Sequence, residues 1–373
     1  MLARGGGCAM VSLKGSLWAL LQYDVSEEIR IDEVRRLLGV QTPGRGPEFR
    51  GPSPEYVKFA RPPLVHLPGP VQLPGGEVWS CTVKMYDYGV VSVALELPFE
   101  SDWNGLIQLS SLWIGSADLE RKGLEVAKAQ VQRIRDALLR PYADWTFEDY
   151  YAVHVREART EAGSPLLARE MIAEYGGGIA QIVRAESVEL SDSERQEVLQ
   201  QWLSYYPTDL LVAAWMAAFV YDNPEGAAPM LQLLEYANTQ LLEFRYYDNL
   251  LTSVLERVHG RLERHRGIWG RWRSLAEAER LNRMRLDVIE LTERIDNSIK
   301  FLSDMFYARA YRLAARKIGV NDYRDLVDEK LKTAGELYQA MTGEFHQART
   351  FLLEVMVVAI LIIELVFLFR GKS

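Results

Sequence analysis

Apolar and polar positions alternate with a period near two through much of the first half of this chain and recur every three to four residues in the second half. The first pattern predicts strands with short helices, the second long helices. LWALLQYDV, from Leu17 to Val25, reads as a strand, and IDEVRRLLG as a short helix closing on Gly39. A Pro/Gly-rich stretch from Thr42 to Gly76 reads as loop. VWSCTVKMY and VVSVALEL then flank Asp87, Tyr88 and Gly89, a turn of residues that tolerate positive φ, so the pair predicts a hairpin. Leu124, Ala127, Val131, Ile134 and Leu138 keep helical spacing, and YYAVHVRE beyond Pro141 is a further strand. The order β-α-β-β-α-β predicts an α+β, ferredoxin-like domain over residues 16–157, after a disordered stretch over 1–15.

A fainter second copy of this order is expected over residues 178–228. There IAQIVR, from Ile179 to Arg184, is strand-like, and SDSERQEVLQQW is a helix with Ser191 as N-cap. DLLVAAWMAAFVYD reads either as two short strands or as one buried helix. Residues 229–350 predict long coiled-coil helices. One register runs from Ala237 to Leu262 with Asp248 as its polar intruder, and another from Leu281 to Met305 with Ser298. A third continues from Leu331 to Phe369, so the last two helices predict an antiparallel hairpin.

The third register ends in FLLEVMVVAILIIELVFLF, from Phe351 to Phe369. As a helix this run covers about 27 Å, close to the ~30 Å hydrocarbon core of a bilayer. It predicts a single transmembrane helix over 351–369, a tail anchor with the large N-terminal part on the cytoplasmic, synthesis side. Glu354 and Glu364 interrupt the run, and a carboxylate at membrane depth is costly, so the competing reading is a buried helix or an oligomerisation zipper.

Composition narrows the classes. With 48% hydrophobic and 25% charged residues the chain can build a sizeable core, and two cysteines exclude a disulfide scaffold or a cysteine-rich zinc module. A formal net charge of −8 argues against nucleic-acid binding by the whole surface but leaves local basic patches open.

Candidate chemistry is sparse. Gly176-Gly177-Gly178 lacks the strand-to-helix setting and the Lys-Ser/Thr pair of a phosphate loop and reads as a flexible turn. His66, His154, His259, His265 and His346 share no ligand spacing, and no cofactor is implied. Within the polar-aromatic cluster Glu243 to Asp248, Arg245 and Asp248 stand three apart and predict a structural ion pair. The linker RHRGIWGRWR combines Arg271 and Arg273 with Trp269 and Trp272, a mixture suited to anionic headgroups or to RNA phosphates and bases.

The segments SYYPTDLLVAAW, LLEFRYYDNLL, LTERIDNSIKFLSDMFYARAYRLAA and RTFLLEVMVVAILIIELVF together resemble the required-for-meiotic-nuclear-division family, an uncharacterised-domain family. The resemblance implies an N-terminal α/β region, a helical hairpin, a terminal anchor and membrane-associated organising roles, with no catalytic residues to carry over. The expected function is therefore a membrane-anchored, non-enzymatic interaction protein that positions partners through its hairpin. Membrane lipid and a partner helix or a second copy are its expected partners, with Glu354 and Glu364 at the contact. A membrane-tethered RNA- or ribosome-associated factor is the alternative, and no small-molecule substrate is evident.

Overall fold

The computed structural model describes residues 12–39, 57–59, 62–159, 163–264, 279–286, 288–289, 293, 299–301 and 306–370. The chain divides into two compact units, Met1–Phe244 with Arg294–Asp322, and Arg245–Glu293 with Tyr323–Ser373.

The first unit is built on a nine-stranded mixed sheet. Its central strand β1 (Ser12–Ile29) has a two-residue alternation that is apolar at the odd positions, and it is hydrogen-bonded on both edges. On one side it pairs antiparallel with β6 (Val90–Ser101), which pairs with β5 (Val78–Met85), which in turn pairs with β3 (Leu64–His66) and β4 (Val71–Gln72). On the other side lies β7 (Leu138–Arg159), followed by β10 (Ala217–Tyr221), β9 (Leu210–Ala213) and β8 (Trp202–Leu203). β10 runs parallel to β7, and the other pairings in this sheet are antiparallel. A separate pair joins β2 (Val57–Phe59) to β11 (Ile299–Phe301).

Helices α2 (Trp103–Trp113), α3 (Ala117–Arg133), α4 (Ala168–Arg184) and α5 (Asp192–Leu199) share the main apolar core with one face of the sheet. Asp102 caps α2 by accepting from the Gly105 amide, and Ser191 caps α5 as the sequence predicts. The short α1 (Ile31–Leu38) closes on Gly39 in the left-handed conformation, φ 65°, again as expected. The hairpin of β5 and β6 turns through Gly89, φ 101°. The opposite face meets α6 (Pro224–Arg264) up to Phe244, with Tyr307 and Tyr311 of α7 (Phe306–Ile318) against it.

In the second unit, α8 (Val320–Arg370) supplies Ala334 and Met341 to a small core with Val254, Val258 and Leu281.

Several expectations are overturned. A ferredoxin-like domain would close at four strands, but β7 accepts β10 on its free edge, so residues 210–221 extend the same sheet as two strands instead of starting a second copy. Ile179–Arg184 lies inside α4, as do Gly176, Gly177 and Gly178. A Cβ on Gly176 would stand 2.8 Å from Leu199 Cδ1, so helix packing accounts for that glycine. The coiled-coil hairpin fails because the strand Ile299–Phe301 interrupts its first arm. Among the described residues no helix is long and apolar enough to cross a membrane. The terminal apolar run also carries Glu354 and Glu364 inside it, and a carboxylate at membrane depth is costly. The single-pass anchor and its synthesis-side topology are therefore set aside.

Candidate functional site

Strand alternation gives the sheet two unlike faces. Leu17, Ala19, Leu21, Tyr23 and Val25 of β1 enter the apolar core with Val91, Val93 and Leu95 of β6 and Val153 and Val155 of β7. The even positions Ser16, Gln22, Asp24 and Ser26 are just as deeply buried, at no more than 1% exposure, but polar. α6 covers them with polar residues of its own, Glu235, Asn238, Thr239, Gln240 and Glu243, none more than 4% exposed.

Most of this buried polarity is mutually satisfied. The Glu235 carboxylate pairs with Lys84 and accepts from Ser92 Oγ at 2.7 Å. The Glu235 carbonyl accepts from Gln22 Nε2 at 2.8 Å, and Asn238 Nδ2 donates to Gln22 Oε1 at 3.0 Å. Tyr88 and Thr239 share a hydroxyl–hydroxyl bond of 2.9 Å. Asp24 differs: neither carboxyl oxygen has a hydrogen-bond partner among the described residues. Burial, and then the negative charge of Glu243, pushes its carboxyl well above the usual carboxylate range.

Beside this layer the sheet and the first turns of α6 enclose a cavity of about 700 Å³, within the range of small-molecule sites. Its apolar surface includes Trp18, Leu20, Ala94 and Leu231, and Lys84 and Glu235 line it too. Ser16 and His154 also line it, and they are direct partners in the β1–β7 register. Gly15 makes that approach possible, since a Cβ there would fall 2.0 Å from the His154 carbonyl oxygen. His154 is 5% exposed and its Nε2 stands 3.0 Å from the Asp222 carbonyl oxygen. A carbonyl only accepts, so Nε2 carries a hydrogen. Burial lowers the imidazole pKa, opposed by that bond and reinforced by Arg156, which keeps the ring neutral and leaves Nδ1 as a bare acceptor. Asp222, just before α6, has its carboxyl raised to about 6, chiefly by burial.

Of the residues singled out by sequence as candidate sites, those described do not line this cavity. Arg245 and Asp248 both sit on α6 in the second unit. There Asp248 meets Lys330 at 2.5 Å, and the Arg245 guanidinium lies 5.6 Å from the Tyr323 ring centroid. Trp269, Arg271, Trp272 and Arg273 lie outside the described residues. Glu354 and Glu364 are exposed on α8, and so is every residue from Phe351 to Val366, with large apolar side chains between 42% and 63% accessible. The Ser16–His154 pairing escaped sequence reading, because only the register of two distant strands creates it.

Comparison with known proteins corrects one further expectation. No solved structure matches this chain. The uncharacterised protein MJ0711 of Methanocaldococcus jannaschii is 20% identical over 188 residues, which is 50% of this chain and 58% of that protein. The chain thus spans little more than half the length of this relative. The family that matches is described as "Uncharacterized protein MJ0711, N-terminal domain" and covers residues 14–228, so the resemblance to the required-for-meiotic-nuclear-division family is set aside. This chain belongs to the MJ0711 N-terminal domain family.

Proposed function

We propose that this protein is an interaction protein that self-associates through the apolar length of α8. The observation that carries the reading is the exposure of the entire stretch Phe351–Val366, in which only Glu354 and Glu364 are charged. A helix apolar on nearly all sides is not stable in water on its own and needs cover. At 100° per residue the two glutamates stand about 80° apart around the helix, so roughly 280° of its circumference carries no charge. A two-stranded seam buries a stripe narrower than about 100° on each helix. An arc this wide calls for more than one neighbour, and identical helices from further copies supply surfaces of matching length and character. The glutamates then form the solvent-facing edge of a bundle of at least three chains. Light scattering on the full chain across a concentration series tests this: a mass of three or more copies of 42.6 kDa is expected, and a monomer at every concentration would overturn it.

A further inference from the structure

The cavity under α6 holds groups that the fold itself leaves unused. At the Lys84 side, both Glu235 carboxylate oxygens are occupied by Lys84 and Ser92, which accounts for those charges structurally. Six residues along β1, the situation changes. Ser16 and His154 are 1% and 5% exposed, yet no hydrogen bond among the described residues engages Ser16 Oγ or His154 Nδ1. Neither atom is among the buried polar atoms left without a partner, so the two, register partners lining one cavity, are open to its interior, where a ligand can meet a hydroxyl and a bare imidazole nitrogen. Arg156 lies two residues further along the same face of β7, exposed, with a single long contact of 3.4 Å to the Gly15 carbonyl. No acidic partner is found for it among the described residues, so it brings an unmatched positive charge to the cavity.

These features select a ligand chemistry. Nδ1 needs a donor, which an O–H provides. Arg156 needs an anion. The apolar wall of Trp18, Leu20 and Leu231 needs a hydrocarbon body. We propose that the cavity is a binding site for a small amphipathic hydroxy acid, its hydroxyl donating to His154 Nδ1 beside Ser16, its carboxylate paired with Arg156, and its chain along the apolar wall. The residues of this site all belong to the first unit.

Calorimetric titration of the full chain with 2-hydroxyoctanoate and with octanoate tests this. The two acids share chain and charge and differ in the donor, so the hydroxy acid is expected to bind about ten-fold more tightly, the worth of one such hydrogen bond. His154→Phe should remove that preference, and Arg156→Gln should weaken both acids several-fold. Ala228 is exposed and lines the cavity, so Ala228→Trp should block both without disturbing the core, whether or not the His154 variant folds. Equal affinity for the two acids, binding of neither, a preference that survives His154→Phe, or unchanged binding in Ala228→Trp would each overturn the assignment.

Discussion

Two segments rich in apolar residues, β1 and the stretch Phe351–Val366 of α8, have opposite fates. In β1 the side chains of Leu17, Ala19, Leu21 and Val25 are fully buried. In α8 every side chain of the run is exposed. The difference lies in neighbours. β1 has a strand on each edge, a helical layer over its odd positions and α6 over its even ones. Among the described residues of its own unit the α8 run has no such cover. Apolarity states a demand for burial, and only the rest of the fold, or another chain, decides how it is met.

The largest effects should come from stripping cover inside β1. Leu21→Ala removes a fully buried side chain and should cost about 3–5 kcal/mol by urea titration. A loss under about 1 kcal/mol would mean that this face is loosely packed.

Next comes the polar cover of the other face. Glu235→Ala leaves Lys84 and Ser92 without their partner and should cost about 3 kcal/mol, whereas adding Lys84→Met should restore much of the loss. Additive losses in the double variant would show that the pair is not coupled.

A smaller effect with the opposite sign is expected at Asp24. Its folded-state pKa lies well above the ordinary value, so the folded protein holds the proton more tightly than the unfolded chain. Stability contributed by that proton is complete below about pH 4 and is lost as pH rises towards the raised folded value. Asp24→Asn should therefore stabilise at pH 7 and do nothing near pH 3. An identical effect at both pH values would contradict this account. The smallest change belongs to the exposed run: Leu361→Ala should move unfolding stability of the isolated chain by less than about 0.5 kcal/mol.

The same contrast explains how much could be read from sequence. β1, α1 with its Gly39 cap and the hairpin through Gly89 were legible because each is written in local periodicity and turn chemistry. Ile179–Arg184 misled because a short alternating segment next to three glycines resembles a strand, while the helix it belongs to depends on contacts such as Gly176 against Leu199. The widening of the sheet was hidden because β7 and β10 pair in parallel across an intervening helical region. The cavity was hidden for the same reason, since Ser16 faces His154 only once β1 and β7 are in register.

Whether the α8 run is covered by other copies of the chain or simply tolerated in water is decided by sedimentation equilibrium on two single variants. Leu361 and Ile363 are 57% and 55% exposed, so a charge should be equally harmless at either position in an isolated helix. Leu361 falls between the two glutamates on the proposed solvent edge, and Ile363 lies about 160° away from it around the helix, on the opposite arc. If the uncharged arc is the association surface, Ile363→Glu yields monomer while Leu361→Glu retains the assembly. Monomer for both, or assembly for both, would contradict that reading.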